Sequence, residues 1–386
     1  MIKKNLLEYQ LNTQILFGND IVYQVVDYAK KLGDKVIIIT NGSVFNKLGY
    51  VNKIKSVLEK SNLKIIVYED VHSNIKSDEV DDIGELVRKS KANLIIGLGS
   101  TTVINVTKAV ALLTTNPGSI NDYLNGQQMH EDPVPFILIP TIPGSYFDLS
   151  HDFILTDYTD NYKKIFRDPK IETTVDIIDS KIMTTLPLNF TAASALNILV
   201  NSVESYISTN SNPISDSLAP RAIEYLMRSL KSVITDRENI EFRWDIAMAG
   251  ILSSMATRIT GLGVSSAMAF VLSARYNIYE HVAKAIMLPH IMEFNLTSVP
   301  GKYVQIAKNM GEDVASVTVV EAAIKAIESV RKLLFDLKIP QRLSEYQVPN
   351  EDLPLIAGHS QEYHLLEAVP RPISKDDLIN ILISAT

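Results

Sequence analysis

Two hydrophobic rhythms divide this chain. Over its first half, short β-branched runs alternate with segments whose apolar positions recur every three or four residues. Lys35–Thr40 (KVIIIT), Leu63–Tyr68, Asn93–Leu98 (NLIIGL) and Phe136–Pro140 have the length and composition of buried strands. Between them, Val51–Glu59, Asp78–Ser90 and Thr102–Leu113 carry the helical period. Strands joined by helices of this length predict a parallel, Rossmann-like sheet, since parallel pairing needs a long crossover. His151–Thr156 and Thr174–Ile178 add two more extended stretches, expected to complete this half.

After Leu186 the β-branched density falls and long helical periods take over: Thr191–Ser208, Ala219–Ser229, Ile240–Ile259, Val264–Ala274, Val282–Phe294, Ala315–Phe335 and Lys375–Ile383. The expected fold is therefore an α/β N-terminal Rossmann-like domain over residues 1–183 and an all-α C-terminal domain over residues 184–386. Pro340–Pro354 is polar and proline-bearing and reads as a surface connection. In Thr191–Ser208, Leu196, Leu199, Val200, Val203 and Ile207 form one apolar stripe, while Asn197 and Asn201 stack four residues apart. A carboxylate and an imidazole at that spacing would hold a divalent metal. Two neutral amides offer little to one.

Composition narrows the possibilities. A length of 386 residues exceeds one ordinary core, and 46% hydrophobic with 21% charged residues is a folded, globular balance. A net charge of −7 gives no footprint for nucleic acid or an anionic membrane. The absence of cysteine excludes disulfides and thiolate metal ligation. No apolar run suits a leader or a membrane span, so a soluble, cytoplasmic protein is expected. In a fold of this kind ligands bind beyond the carboxyl ends of the strands. Two loops would line that crevice: Gly99-Ser100-Thr101-Thr102, which opens a helix whose N–H groups could hold phosphate, and Pro140-Thr141-Ile142-Pro143-Gly144-Ser145.

Several spaced motifs resemble the iron-containing (group III) alcohol dehydrogenases over nearly the whole chain. They include Thr191-Ala192-Ala193, Glu204-Ser205-Tyr206, Pro213-Ile214-Ser215-Asp216, Gly261-Leu262-Gly263, Ala267-Met268-Ala269, Tyr276-Asn277 and Ala285-Ile286-Met287-Leu288-Pro289. Lys108-Ala109, Pro140-Thr141, Gly144 and Pro370-Arg371-Pro372 fall in register too. The resemblance implies the dehydroquinate synthase-like fold, NAD(P)-dependent alcohol or aldehyde oxidation–reduction, and commonly a homodimer. It also implies a divalent ion held by one aspartate and three histidines. Those four positions are here Asn197, Asn201, Ser266 and Glu280, and Phe270 stands where the family has a further histidine. Neutral oxygens and one carboxylate do not replace three imidazoles for a borderline metal, so no tightly bound Fe or Zn is expected.

The resemblance also places the cofactor. The family's Gly-Gly-Gly-Ser turn, with its following Asp and Lys, becomes Gly99, Ser100, Thr101, Thr102, Asn105 and Lys108. A β-branched Thr101 opposes the positive φ that such glycines allow, so NAD or NADP binding is expected to be weak. Asn41 falls where an aspartate selects NAD, so NADP would be tolerated no worse. Thr141 and Ser145 remain as hydroxyls of the second loop, Pro143 removes a backbone donor, and Tyr146 and Phe147 either fill part of the nicotinamide space or pack at the domain interface.

If the chain is active, Asn201, Ser266, Glu280 and His281 are the candidate groups to polarise a carbonyl, as in the related maleylacetate reductases, which reduce a carbonyl without metal. Glu280 reads either as a general base raised by burial or as a salt-bridge member with Arg275, Lys284 or Arg258. Asn197 and Asn201 read as a relay, or as amides that satisfy one another and nearby backbone. The alternative to an active oxidoreductase is a pseudoenzyme keeping the scaffold for a small-molecule ligand or oligomer assembly. A sugar-phosphate cyclase of the dehydroquinate synthase class meets the same objection at the metal.

Overall fold

The computed structural model describes residues 9–42, 49–73, 75–236 and 238–386. Residues 1–8, on which part of the expectation of no leader rests, lie outside them. Eight strands occur among the described residues: β1 (Gln14–Gly18), β2 (Lys35–Thr40), β3 (Lys64–Tyr68), β4 (Leu94–Gly99), β5 (Phe136–Pro140), β6 (Asp152–Thr156), β7 (Lys163–Arg167) and β8 (Val175–Asp179). Six form one sheet in the order β1-β8-β5-β4-β2-β3, with every pair parallel. The continuous apolar run of β2 follows from burial on both faces. Ile37 and Ile39 enter a core shared with the helices Ser77–Ser90 and Thr101–Thr115. Val36 and Ile38 enter the opposite core, against Val25–Leu32 and Tyr50–Glu59.

His151–Thr156 does not extend this sheet. It becomes β6 and pairs antiparallel with β7 in a separate hairpin. The sequence reading misses β7 because KKIFR opens on two lysines, whose amphipathic stems let a strand carry charge at its edge. The hairpin is pinned to the Thr101–Thr115 helix by Lys108, whose buried Nζ donates to the carbonyls of Ser150 (2.6 Å) and Asp152 (3.1 Å).

From Leu188 on, the structure is helical. The central Leu188–Ile207 helix is enclosed by Ser215–Thr235, Ile240–Thr260 and Glu280–Asn295. Pro340–Pro354 is less superficial than its polarity suggests. It holds two 3₁₀ turns, buries Leu343, Val348 and Leu353, and leads into the helix Leu353–Gln361. No single described helix is long and apolar enough to cross a membrane.

The two halves meet closely at one turn. Gly144 has φ +78°, and a Cβ on Gly250 would lie 2.6 Å from the Gly144 nitrogen. Only glycine permits that approach between the turn after β5 and the Ile240–Thr260 helix. Around it, Asn197 Nδ2 donates to the Gly144 carbonyl (3.0 Å) and Ser254 Oγ donates to the Ser145 carbonyl (3.0 Å). Phe17 at the end of β1 meets Trp244 with ring centroids 4.9 Å apart.

Candidate functional site

At the carboxyl edge of the sheet, β4 runs into the Thr101–Thr115 helix through Gly99 and Ser100. Ser100 is the extended N-cap residue (φ −75°, ψ 176°) and gives no side-chain cap, so the first-turn N–H groups leave the helix end open to an anion. Thr101 is the first helical residue and is not among those with positive φ, which removes the steric objection raised from sequence. The glycine serves packing instead: a Cβ on Gly99 would lie 2.5 Å from Val103 Cγ2. Thr101 Oγ1 is buried without a hydrogen-bond partner, as is Asn41 Oδ1 just beyond β2. Ser100 and Thr102 are half-buried beside them.

The remaining predicted cofactor residues divide. Thr141 donates its N–H to the Gly99 carbonyl (2.9 Å), tying the two loops together, and Ser145 lies buried in the interdomain turn. Asn105 has another duty: its Oδ1 accepts from the Ile154 N–H (3.2 Å), holding the hairpin. Tyr146 and Phe147 are buried in the N-terminal core, and Tyr146 donates to Asp152 Oδ2 at 2.5 Å.

The helical half brings a second group together. Asn197 and Asn201 face inward from Leu188–Ile207, Ser266 and Phe270 from Val264–Tyr276, and Glu280, His281 and Lys284 from Glu280–Asn295. Lys284 is 2% exposed; its Nζ lies 3.2 Å from Asn197 Oδ1 and 3.7 Å from Glu280 Oε1. Lys163, from β7, lies 2.9 Å from Glu280 Oε2. Both ammonium groups sit 5.9 Å from the Phe270 ring centroid, within cation–π range. Glu204 accepts from the Ser265 N–H (2.8 Å), capping the Val264–Tyr276 helix from its neighbour, and Gly263 leaves the space this requires.

Electrostatics follow this packing. Burial pushes the Glu280 carboxyl up, but the charges of Lys163 and Lys284 outweigh it and hold the group down at about 2. It is therefore not the raised general base considered above. Burial lowers Lys284 and outweighs the opposing pull of Glu280 and Glu204. Burial likewise lowers His281 to about 4, so at neutral pH its imidazole is uncharged.

Several expectations change. Asn197 and Asn201 do not satisfy one another: Asn197 is engaged by Gly144 and Lys284, while both polar atoms of the Asn201 amide are buried without a partner. Ser266 Oγ and His281 Nδ1 are similarly unpartnered. Arg275 pairs with Asp352 and Arg258 with Glu172, leaving Glu280 to Lys163 and Lys284. Lys163 is a site residue rather than a solvated surface group. Lys284 had one sequence signal, a charge four residues after Glu280 inside an otherwise apolar run. Lys163 had only the resemblance, which places Lys163 and Lys164 near a family lysine region at the cleft mouth with surface solvation as the default, because only the hairpin carries it across to Glu280.

As metal ligands these residues fit poorly. Asn197, Asn201 and Ser266 offer neutral oxygens, and the one carboxylate is already paired with an ammonium at 2.9 Å. No cluster of three His, Cys, Asp or Glu side chains suited to a metal occurs among the described residues.

Residues 12–180 match the family model described as iron-containing alcohol dehydrogenase. Residues 191–386 match that of the Fe-containing alcohol dehydrogenase family, C-terminal. The chain is 27% identical over 354 residues to 1,3-propanediol dehydrogenase of Klebsiella pneumoniae, covering 91% of this chain and 92% of that one. It is 23% identical over 370 residues to NAD-dependent methanol dehydrogenase of Bacillus methanolicus, covering 96% and 97%. The crystal structure of a 1,3-propanediol oxidoreductase superposes with a TM-score of 0.94 at 26% identity, covering 99% of this chain and 100% of that one.

Proposed function

The chain belongs to the iron-containing alcohol dehydrogenase family, and from that premise we propose an NAD(P)-dependent oxidoreductase that interconverts an alcohol and its carbonyl without bound iron or zinc. One observation carries the reading: Asn197, Asn201 and Ser266 present only neutral donors, and the Glu280 carboxylate is held by Lys163 and Lys284. A divalent ion would find no imidazole at those four positions and would face an ammonium. The names of the 1,3-propanediol and methanol dehydrogenase relatives support a short alcohol as the substrate class and NAD(H) as one cofactor.

A nicotinamide dinucleotide supplies or accepts hydride when bound. The uncapped N-terminus at Ser100–Thr102 and the Thr101 hydroxyl would hold its phosphates. The Asn41 amide would take a ribose hydroxyl, and its lack of charge leaves NADP admissible. Asn201 and Ser266 would orient the substrate oxygen, and their buried, unpartnered atoms are what such a task requires.

A second reading, a scaffold retained without catalysis, is favoured by the closure of the site: Asn201, Ser266 and Lys284 are each 3% exposed or less. Two measurements test the proposal. Metal analysis of the purified protein should find no stoichiometric iron or zinc, and propanal reduction with NADH or NADPH should persist in EDTA. Stoichiometric metal, or activity abolished by the chelator, overturns the metal-free reading. Dinucleotide binding without turnover of propanal, 1,3-propanediol or methanol selects the second reading.

A further inference from the structure

Building on the metal-free oxidoreductase reading, we propose that the Lys284 ammonium is the electrophile of this site, binding the substrate's carbonyl oxygen where relatives use a divalent cation. The ammonium lies against Asn197 and Glu280, two positions at which the family resemblance places metal ligands. Lys163 makes the closer ion pair with that carboxylate, at 2.9 Å against 3.7 Å for Lys284.

Lys284 also has donors to spare. An ammonium carries three N–H bonds. Among the described contacts one reaches Asn197 Oδ1, and Glu280 Oε1 at 3.7 Å is beyond hydrogen-bond range. Asn197 is oriented by giving its own N–H to the Gly144 carbonyl, so its oxygen holds the lysine in place. The Asn201 amide and the Ser266 hydroxyl, both buried and unpartnered, stand at the other two positions where the resemblance places metal ligands. That arrangement stabilises negative charge developing on an oxygen, and burial strengthens it.

In the reduction direction the carbonyl carbon gains a hydride from the reduced nicotinamide dinucleotide. The carbon–oxygen π pair moves to oxygen beside Lys284, and the oxygen takes a proton from solvent. Lys284 stays protonated throughout, and the products are the alcohol and the oxidised dinucleotide.

The test has two readouts. The first is metal content. The fourfold variant Asn197→Asp, Asn201→His, Ser266→His and Glu280→His should bind no zinc while Lys284 remains, and adding Lys284→Ala should yield about one zinc per chain. Zinc in the fourfold variant overturns the placement of the lysine, as does its absence from the fivefold variant when circular dichroism shows both folded. The second readout is turnover. Lys284→Met should lower kcat for propanal by about a hundredfold or more with NADH affinity unchanged, the scale of losing one oxyanion donor. Lys284→Arg should recover part of the loss. An unaltered kcat in Lys284→Met overturns the inference while leaving the oxidoreductase reading intact. A wild-type chain that turns over no substrate, with the zinc result as expected, overturns that reading and the electrophile role with it, and keeps only the placement.

Discussion

Glu280→Gln tests the charge balance of the site by removing a charge and almost no volume. In the native chain the carboxylate lies 2.9 Å from Lys163 and 3.7 Å from Lys284. Burial opposes its ionisation, yet the two ammonium groups hold it at about 2 against an ordinary 4.5. That gap corresponds to about 3 kcal/mol of stability at neutral pH. Removing one partner of a buried pair independently costs about 3–5 kcal/mol, and the partial exposure of Lys163 favours the lower end. The sign fixes the pH window. A carboxyl depressed on folding contributes fully above its unfolded value and loses that contribution as pH falls toward the folded value. The difference between wild type and variant should therefore shrink from about 3 kcal/mol at pH 7 to about 2 kcal/mol near pH 3.5. Urea unfolding, followed by Trp244 fluorescence and circular dichroism at both pH values, measures it. A gap that is absent at pH 7, or that widens in acid, would show that the lysines do not compensate Glu280 as the geometry requires.

Three other perturbations probe separate parts of the structure. Gly250→Ala puts a Cβ 2.6 Å from the Gly144 nitrogen and should cost about 1–3 kcal/mol in urea unfolding, whereas unchanged stability would deny the close approach of the two halves. Asn41→Asp should weaken NADPH by about tenfold (~1.4 kcal/mol) relative to NADH in a fluorescence titration, through repulsion of the 2′-phosphate; equal affinities would remove Asn41 from the ribose site. Asp176 is buried with both carboxyl oxygens unpartnered; burial, then the Asp148 charge, holds it well above the usual carboxylate range. Folding thus disfavours its ionised form, so Asp176→Val should raise the melting temperature at neutral pH, with the gain fading below about pH 4. A loss at neutral pH would reveal a partner for Asp176.

Local sequence was sufficient wherever burial left one outcome. A run such as Lys35–Thr40, apolar at every position except its ends, can only be a strand enclosed on both faces, and β2 and β5 have the bounds their composition predicts. The helical second half followed from periodicity for the same reason. The resemblance motifs pointed to Asn197, Asn201, Ser266 and Glu280, and the neutral chemistry of three of them is what the metal-free proposal starts from. The site's charges were a different matter. Lys163 and Glu280 stand 117 residues apart and meet because β7 returns antiparallel to β6 and lays its first lysine over the helical half. Lys284 and Asn197 stand 87 apart and meet because the Gly144–Gly250 contact and the helix packing set that distance. Likewise, the strain expected at Thr101 vanishes because its backbone joins the helix, which no composition rule for a glycine turn anticipates. Periodicity reports which face of an element is dry. Which charges share that dry space depends on distances between elements, and those are set only once the whole chain has packed.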